Sequence, residues 1–298
     1  MLSILIPIFN QDVRPLVQDL SEQCMKEKIR FQILCFDDGS KEKYKKINRS
    51  VESAFGVSYL EFRQNVGRSK IRNKLAFNAM YDNLLFLDCD SEIASKKFIK
   101  KYKKAITAHT VIYGGTMYSK RKPRSLEKML HWKYGQKRER APVEKRNKHP
   151  YDTFRSNNFV MDRDLFLSVR FNEEIEGYGH EDTLFAQQLK EQEISLHHVD
   201  NPVIHGGLEK VETYLAKVDE SIRNLVELNR GKYRLSTRLT KTYEKIKSWN
   251  LWPVISWLAK RYDNRYASAL TSKNPNLRLL DLYKLASYHK CLDANTRQ

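Results

Sequence analysis

The first 115 residues alternate between short apolar runs and longer stretches whose apolar side chains recur at helical spacing. Apolar runs without a polar alternation are typical of strands that are covered on both faces of a sheet. Strands are predicted at residues 3–9, 31–36, 57–62, 83–87 and 110–114. Helices are predicted at residues 14–28, 69–81 and 95–109. This alternation predicts a mostly parallel sheet with right-handed crossovers and flanking helices.

The pattern changes after residue 115. Residues 120–152 are basic and carry few strand signals, which predicts a helix and a mobile loop over the sheet edge. Further strands are predicted at residues 159–161, 194–199 and 202–204, with a helix at 183–192. Helices are then predicted at residues 211–229, 237–249, 252–262 and 277–288. We therefore expect an α/β domain over residues 1–208 and a basic, aromatic-rich helical region over residues 209–298.

The net charge of +18 over 298 residues is unevenly distributed. Residues 120–155 contain 13 Lys or Arg against 4 Asp or Glu, and residues 209–298 contain 18 against 9. Such an excess indicates a solvated face or a polyanionic partner, such as nucleic acid, an anionic membrane or a nucleotide diphosphate. The four cysteines show no regular spacing, which makes disulfide bonds improbable. The sequence also has no secretory signal pattern and no apolar stretch long enough to span a membrane, so we expect a cytoplasmic protein.

Two acidic clusters follow predicted strands. Asp37 and Asp38 come directly after the second strand, and Asp88 and Asp90 come after the fourth. Ligands of parallel sheets bind outside the carboxyl ends of the strands. Two carboxylates so close together need a cation or hydrogen-bond donors, and with a diphosphate they suit Mg²⁺ or Mn²⁺. A polar turn that caps the next helix would also explain each cluster.

Three further features carry possible chemistry. Arg68 and Arg72 lie near a predicted helix start, where backbone N–H groups favour anions, although a solvated helix face would look the same. Glu181 and Asp182 follow two glycines at a helix entrance and could either cap the helix or accept a proton. His205, followed by two glycines, could be a buried core histidine or a metal ligand.

Taken in order, these segments resemble the family 2 glycosyltransferases of GT-A fold. The resemblance covers residues 2–207, about two-thirds of the chain, and depends on the order and intervals of motifs that are individually weak. The motifs are Pro7-Ile8-Phe9-Asn10, Asp37-Asp38-Gly39-Ser40, Asn65-Val66-Gly67-Arg68 with Arg72-Asn73, Asp88-Cys89-Asp90, Glu181-Asp182 and His205. His180 before the acidic pair and Cys89 inside the first pair depart from the usual family pattern.

The resemblance implies an inverting enzyme that moves a sugar from a nucleotide-diphosphate sugar, with UDP favoured, to a glycan or lipid-linked acceptor in surface polysaccharide biosynthesis. Mn²⁺ or Mg²⁺ is the implied cofactor, held by Asp90 and His205. Asp182 is the implied catalytic base, with Glu181 beside it on the acceptor side. The implied nucleotide-sugar contacts are Pro7, Phe9, Asp38, Asn65, Arg68, Arg72, Asp88, Cys89 and Asp90.

Two other classes fit parts of the pattern. A sugar nucleotidyltransferase usually begins with a glycine-rich phosphate loop, and the first strand here ends without a glycine. A non-catalytic polyanion-binding protein would suit the charge, but no nucleic-acid-binding module is recognisable, and we expect no nucleic-acid partner.

The C-terminal region interleaves aromatic side chains with cations. The aromatic residues are Trp249, Trp252, Trp257, Tyr262 and Tyr266. This mixture predicts either a peripheral contact with an anionic membrane, at the inner face of the plasma membrane, or a helical cap that packs its aromatic side chains inward.

Overall fold

The computed structural model describes residues 1–262 and 265–294. Its strands form two sheets. They are β1 (Leu2–Ile8), β2 (Phe31–Asp37), β3 (Val57–Glu61), β4 (Asn83–Leu87), β5 (Ser91–Ile93), β6 (Thr110–Tyr113), β7 (Thr116–Met117), β8 (Asn158–Asp162), β9 (Ser195–His198) and β10 (Val203–His205). The large sheet has the order β3-β2-β1-β4-β8-β6-β9, and the small sheet has the order β5-β10-β7.

The α-helices separate and follow these strands. They are α1 (Arg14–Lys26), α2 (Glu42–Asn48), α3 (Arg68–Phe77), α4 (Phe98–Ala105), α5 (Met129–Tyr134), α6 (Val143–Lys148), α7 (Pro150–Thr153), α8 (Arg163–Val169), α9 (Glu181–Glu191), α10 (Val211–Arg230), α11 (Arg238–Ser248), α12 (Trp252–Lys260), α13 (Tyr266–Leu270) and α14 (Leu277–Ala294). The predicted mostly parallel sheet flanked by helices, with a helical C-terminal part, is confirmed.

Strand direction determines which residues share an edge of the large sheet. β1 pairs in parallel with β2 and β4, and β2 pairs in parallel with β3. β8 is antiparallel to both of its neighbours, β4 and β6, while β6 and β9 are parallel to each other. The carboxyl ends of β1, β2 and β4 therefore lie at the same edge as the amino end of β8.

Side chains that alternate along the strands build a core on each face of this sheet. Ile4, Ile6 and Ile8 of β1 belong to one buried cluster, whereas Leu5 belongs to the other. The same alternation continues in β4, where neighbouring residues join opposite clusters. Burial on both faces explains why these strands read as continuous apolar runs.

The described chain divides into two compact units. The first comprises Met1–Ser119, Glu139–Glu176 and Glu181–Gly207 and contains both sheets. The second comprises Lys120–Arg138, Gly177–His180 and the chain from Leu208 onward, and it is helical. Its own core joins α5, α10, α13 and α14.

Several local predictions differ from the structure. The predicted helix at residues 95–109 is shortened to α4, because Ile106 is extended and His109 has a positive φ of 54°. The acidic turn after β2 does not cap α2, whose N-cap residue is Lys41, without a side-chain cap.

No helix in the described ranges has the length and apolar character needed to cross a membrane.

Candidate active site

The loop after β2 is fixed by the buried carboxylate of Asp38. Its two oxygens accept hydrogen bonds from the backbone N–H groups of Val66, at 2.7 Å, and Gly67, at 3.2 Å. The Asn65 amide donates to the Asp38 carbonyl at 3.1 Å. Burial raises the pKa of Asp38, against the effect of the two backbone donors. Asp38 therefore holds the loop that leads into α3.

Gly39 is required at this crossing of two loops. Its φ is +73°, and a Cβ atom would lie 2.7 Å from the backbone nitrogen of Asn65. The adjoining Ser40 accepts a hydrogen bond from the Asn10 backbone N–H at 2.8 Å, which ties the loop after β1 to the loop after β2. The acidic turn after β2 does not cap a helix but joins three loops at one edge of the sheet. They are the loops after β1, after β2 and before α3.

Phe9 and Pro7 lie at the end of β1 on this edge. Pro7 is half-buried opposite Phe36 of β2, whereas Phe9 is 51% exposed just beyond the strand. An exposed aromatic face at a strand end offers a stacking surface for a planar ligand. Cys89 lies near the Phe9 backbone, and burial raises the pKa of the Cys89 thiol to about 12. Cys89 is therefore an uncharged group between two carboxylates.

The arginines of α3 are paired with carboxylates from distant parts of the chain. Arg72 is buried, and its Nη2 donates to Asp88 Oδ1 at 2.6 Å. Arg68 Nε donates to Glu181 Oε1 at 2.5 Å, and its Nη2 lies 3.8 Å from Asp88 Oδ2. Arg68 consequently joins the end of β4 to the start of α9.

Glu181 is buried and ionised within this network. Burial alone would raise its pKa, but the charges of Arg68 and Arg72 hold the pKa of Glu181 below its usual value. The Glu181 side chain is 6% exposed, while that of Arg68 is 38% exposed. Arg68 can therefore reach a ligand from solvent, while the buried Glu181 carboxylate holds its guanidinium in place.

Asp90 and His205 meet through the small sheet. β5 begins at Ser91, directly after Asp90, and pairs antiparallel with β10, so that Ser91 lies opposite His205. His205 Nδ1 lies 3.3 Å from Asp90 Oδ2. Burial alone would raise the pKa of Asp90, but His205 holds it below its usual value, and the same contact raises the pKa of His205 against the effect of burial.

The surroundings of Asp90 fit a divalent cation. Its Oδ1 is buried and has no hydrogen-bond partner in the described part of the chain. A carboxylate oxygen and an imidazole nitrogen are ligands that Mn²⁺ accepts, and oxygen ligands suit Mg²⁺. Within residues 1–262 and 265–294, no three or more His, Cys, Asp or Glu side chains form a complete metal site. A cation here would thus need further ligands, which a diphosphate and water can supply.

The glycines after β10 allow the chain to pass close to Asp90. The backbone N–H of Gly206 donates to the Asp90 carbonyl at 2.9 Å. A Cβ atom on Gly207 would overlap with Asp90 Oδ2. Glycine at these two positions therefore leaves room for the Asp90 carboxylate beside His205.

Tyr118 and Glu139 extend this group, and sequence reasoning missed both. β7 runs parallel to β10, with Met117 opposite Ile204, so the next residue, Tyr118, lies beside His205. The two rings contact edge to face, with centroids 5.3 Å apart, and the Tyr118 hydroxyl donates to the Glu139 carboxylate. A two-residue strand leaves no recognisable sequence pattern, so only the pairing reveals this contact.

Asp182 lies in the first turn of α9, next to Arg155. The Arg155 Nε is 4.0 Å from Asp182 Oδ2. Burial raises the pKa of Asp182, against the opposing charges of Arg155 and Arg68. Arg155 reaches this edge because it precedes β8, whose amino end lies beside the carboxyl end of β4. In the sequence, Arg155 is distinguished only as one cation of the basic run at residues 120–155.

The structure therefore brings the predicted residues to one edge of the large sheet. Arg68 contacts Asp88 and Glu181, and Arg155 lies beside Asp182. This edge of the sheet therefore carries carboxylates, arginines and an exposed aromatic ring. Such a combination can bind a metal–diphosphate group and accept a proton.

Comparisons with known proteins agree with this arrangement. The sequence profile described as "Glycosyl transferase family 2" matches residues 3–166. A search of curated protein sequences finds no significant match.

Solved structures show the same fold at low sequence identity. The crystal structure of S. aureus TarS 1-349 is 16% identical, with a TM-score of 0.51, over 99% of this chain and 91% of that chain. The same protein in complex with UDP-GlcNAc is 15% identical, with a TM-score of 0.51 and the same coverage. The mannosyltransferase PcManGT from Pyrobaculum calidifontis, in complex with GDP-Man and Mn²⁺, is 10% identical, with a TM-score of 0.55, over 99% of this chain and 75% of that chain.

Two lines of evidence thus converge, since the profile spans more than half of the chain and the fold is the GT-A fold of these glycosyltransferases. They support glycosyl transfer over nucleotidyl transfer or passive polyanion binding. The chain is a glycosyltransferase and belongs to glycosyl transferase family 2.

Proposed function

We propose that this enzyme transfers a sugar, with inversion, from a nucleotide-diphosphate sugar to a hydroxyl of a glycan or lipid-linked acceptor in surface polysaccharide biosynthesis. The observation that carries the proposal is the placement of Asp88, Asp90 and Asp182 at one edge of the sheet, beside Arg68, His205 and Arg155 respectively. UDP is the favoured nucleotide. Structural relatives in complex with UDP-GlcNAc and with GDP-Man and Mn²⁺ support a nucleotide-sugar donor.

The donor's nucleoside would lie across the ends of β1 and β2. The exposed ring of Phe9 is available for stacking on the base, next to Pro7. Asp38 and Asn65 shape the loop on the other side, where the Asn65 side chain is exposed. Cys89, beside the Phe9 backbone, would contribute shape and no charge.

The diphosphate would lie between α3 and the metal ligands. Arg68, which is partly exposed, can turn a guanidinium N–H group toward a phosphate oxygen, whereas buried Arg72 keeps Asp88 oriented toward the ribose. A Mn²⁺ or Mg²⁺ ion held by Asp90 and His205 would neutralise negative charge on the departing diphosphate. We assign Glu181 to the support of Arg68 instead of to acceptor contact, because its carboxylate is buried against that guanidinium.

Asp182 would act as the general base. Its carboxylate removes the proton of the acceptor hydroxyl while that oxygen forms a bond to the anomeric carbon. The bond between this carbon and the diphosphate oxygen breaks, and its electron pair leaves with the nucleoside diphosphate. A single displacement from the opposite side inverts the anomeric centre. Arg155, 4.0 Å away, opposes the rise in the pKa of Asp182 that burial causes.

The test begins with a thermal-shift screen of nucleotide sugars in the presence of Mn²⁺. With the donor found in this way, Asp182→Asn should abolish transfer, measured as acceptor-dependent release of nucleoside diphosphate. Donor binding, measured by calorimetry, should remain. Asp164→Asn is the matched control, since Asp164 is an exposed aspartate on α8. Near-wild-type turnover of the Asp182 variant would exclude this residue as the base.

The same proposal assigns catalysis to residues 1–208. It also includes a cytoplasmic location and a peripheral contact with the inner face of the plasma membrane. A lipid-linked acceptor would be met at that membrane. The basic excess of residues 209–298 supports an anionic surface as the partner.

A further inference from the structure

Four large apolar side chains are exposed within nine residues around the start of α12. They are Trp249, at 68% exposure, Leu251, Val254 and Trp257, at 63% exposure. Single exposed apolar residues are common on protein surfaces, but a contiguous group indicates an interaction site. These four residues are named the aromatic patch.

The patch occupies one face of a helix whose other face is already packed. Leu251 is the N-cap of α12, and Val254 and Trp257 follow at intervals of three residues, which places them along one side of the helix. Trp252 and Ala259 mark the opposite side, where Ala259 is buried. The exposed side is thus not needed for packing of the second unit.

Of the aromatic residues predicted as a cap or a membrane surface, some do pack inward. The Trp252 ring centroid lies 3.7 Å from that of His289. Tyr266 is buried, and its ring lies 4.9 Å from that of Tyr283. Trp249 and Trp257 do not share this burial, so the predicted inward packing holds for only some aromatic residues of the segment.

Cations flank the patch on both sides. Lys245 and Lys247 are exposed in the last turn of α11, and Lys260 and Arg261 are exposed where α12 ends. Residues 238–261 contain six Lys or Arg and one Glu. In the described part of the chain, no carboxylate forms an ion pair with these four cations.

We propose that the aromatic patch and its flanking cations dock on the surface of an anionic lipid bilayer. Tryptophan favours the boundary between headgroups and acyl chains, because its ring is apolar and its N–H is polar. The cations would meet lipid phosphates, and the nine-residue helix α12 would lie in the plane of the interface. The inference deepens the proposed function, on which it rests only for the expectation of a lipid-linked acceptor.

Charge decides between a bilayer and a second copy of the chain. A symmetric dimer through the patch would bring two cationic rims against each other, because the same surface would be used by both copies. Like charges that are opposed across an interface disfavour association. An anionic surface, in contrast, is complementary to both the apolar centre and the cationic rim.

The test uses the full chain and vesicles of phosphatidylcholine with or without phosphatidylglycerol. The wild-type protein should co-sediment with the anionic vesicles only, and vesicles with brominated acyl chains should quench its tryptophan fluorescence. Trp249→Ala with Trp257→Ala should lower the partition coefficient by about tenfold or more. Lys247→Gln with Lys260→Gln should lower it by about tenfold at low salt and much less at high salt.

Matched controls remove equal surface elsewhere. Phe55 and Phe77 are exposed by 77% and 71%, and their double alanine variant should bind vesicles like the wild type. Lys96→Gln with Lys100→Gln is the control for charge, since both lysines are exposed. Equal losses in patch and control variants, or no binding of the wild type, would overturn the proposal.

Two further measurements separate the possible failures. Analytical ultracentrifugation measures whether the wild-type chain is a dimer. If the tryptophan substitutions dissociate a dimer but leave vesicle binding unchanged, the patch binds a second copy of the chain and the bilayer proposal is overturned. Donor binding in solution is measured on the same variants without lipid. Lost vesicle binding with intact donor binding supports the proposal, whereas a failed donor screen with normal vesicle binding would count against the glycosyl-transfer scheme alone.

Discussion

Gly207 lies so close to the Asp90 carboxylate that a methyl group at this position would displace it. A Cβ atom would overlap with Asp90 Oδ2, whose contact with His205 Nδ1 is 3.3 Å long. Gly207 is not among the residues with positive φ, so alanine is compatible with its backbone. The strain of Gly207→Ala should therefore be relieved by rotation of the Asp90 side chain.

The magnitude follows from what that rotation breaks. Loss of the Asp90–His205 contact and a shift of the ligand oxygen should weaken Mn²⁺ binding by about ten- to hundredfold, as changes around metal ligands commonly do. This corresponds to roughly 1.4–2.7 kcal/mol of binding free energy. The free energy of unfolding should change by less than about 1 kcal/mol, since the Gly→Ala change restricts the unfolded chain and offsets part of the local strain.

Isothermal titration of Mn²⁺ in the presence of nucleoside diphosphate measures the first quantity, and urea unfolding measures the second. Gly231→Ala is the control, because the nearest atoms to a Cβ there are 3.6 Å away. Unchanged Mn²⁺ affinity in Gly207→Ala would refute the placement of the metal at Asp90. A large loss of stability would refute the argument that only a side chain needs to move.

Three further outcomes follow from the same site. The charge of Arg155 opposes the rise in the pKa of Asp182 that burial causes. Arg155→Gln should therefore move the acidic limb of the kcat–pH profile to higher pH, while activity recovers at alkaline pH. An acidic limb that moves to lower pH would contradict this expectation. Glu181→Gln leaves Arg68 without its buried counter-charge. Because Arg68 is 38% exposed, water offsets part of this loss, and the free energy of unfolding should fall by about 1–2 kcal/mol in urea titrations. Tyr118→Phe should weaken Mn²⁺ binding by about three- to tenfold in calorimetry, whereas Tyr44→Phe should not.

The parts of the fold that are visible in the sequence are those whose burial is continuous. β1, β2 and β4 are covered on both faces, so their apolar runs identify them without further context. β5 and β7 contain three and two residues and exist only through pairing with β10, which follows them by about 100 residues. The hydrophobic pattern of segments as short as β5 and β7 does not indicate that they pair with a distant strand such as β10.

The site divides in a similar way. The acidic clusters at the ends of β2 and β4 were predictable, because strand direction alone brings them to one edge. The partners of Arg68 and Arg72 were not, since a helix rich in cations predicts anion binding and cannot indicate that Asp88 and Glu181 already lie against it. Arg155 became a site residue only through the antiparallel course of β8.

The ionic network around Arg68 has a consequence for how the donor is captured. The carboxylates of the candidate site outnumber its arginines, despite the net charge of +18 of the whole chain. The carboxylates are Asp88, Asp90, Glu181 and Asp182, and the arginines are Arg68, Arg72 and Arg155. Without a divalent cation, an arriving diphosphate would meet no surplus of positive charge. Donor and metal should therefore enter as a thermodynamically coupled pair, each weak alone, so that the metal concentration sets the apparent affinity for the sugar nucleotide.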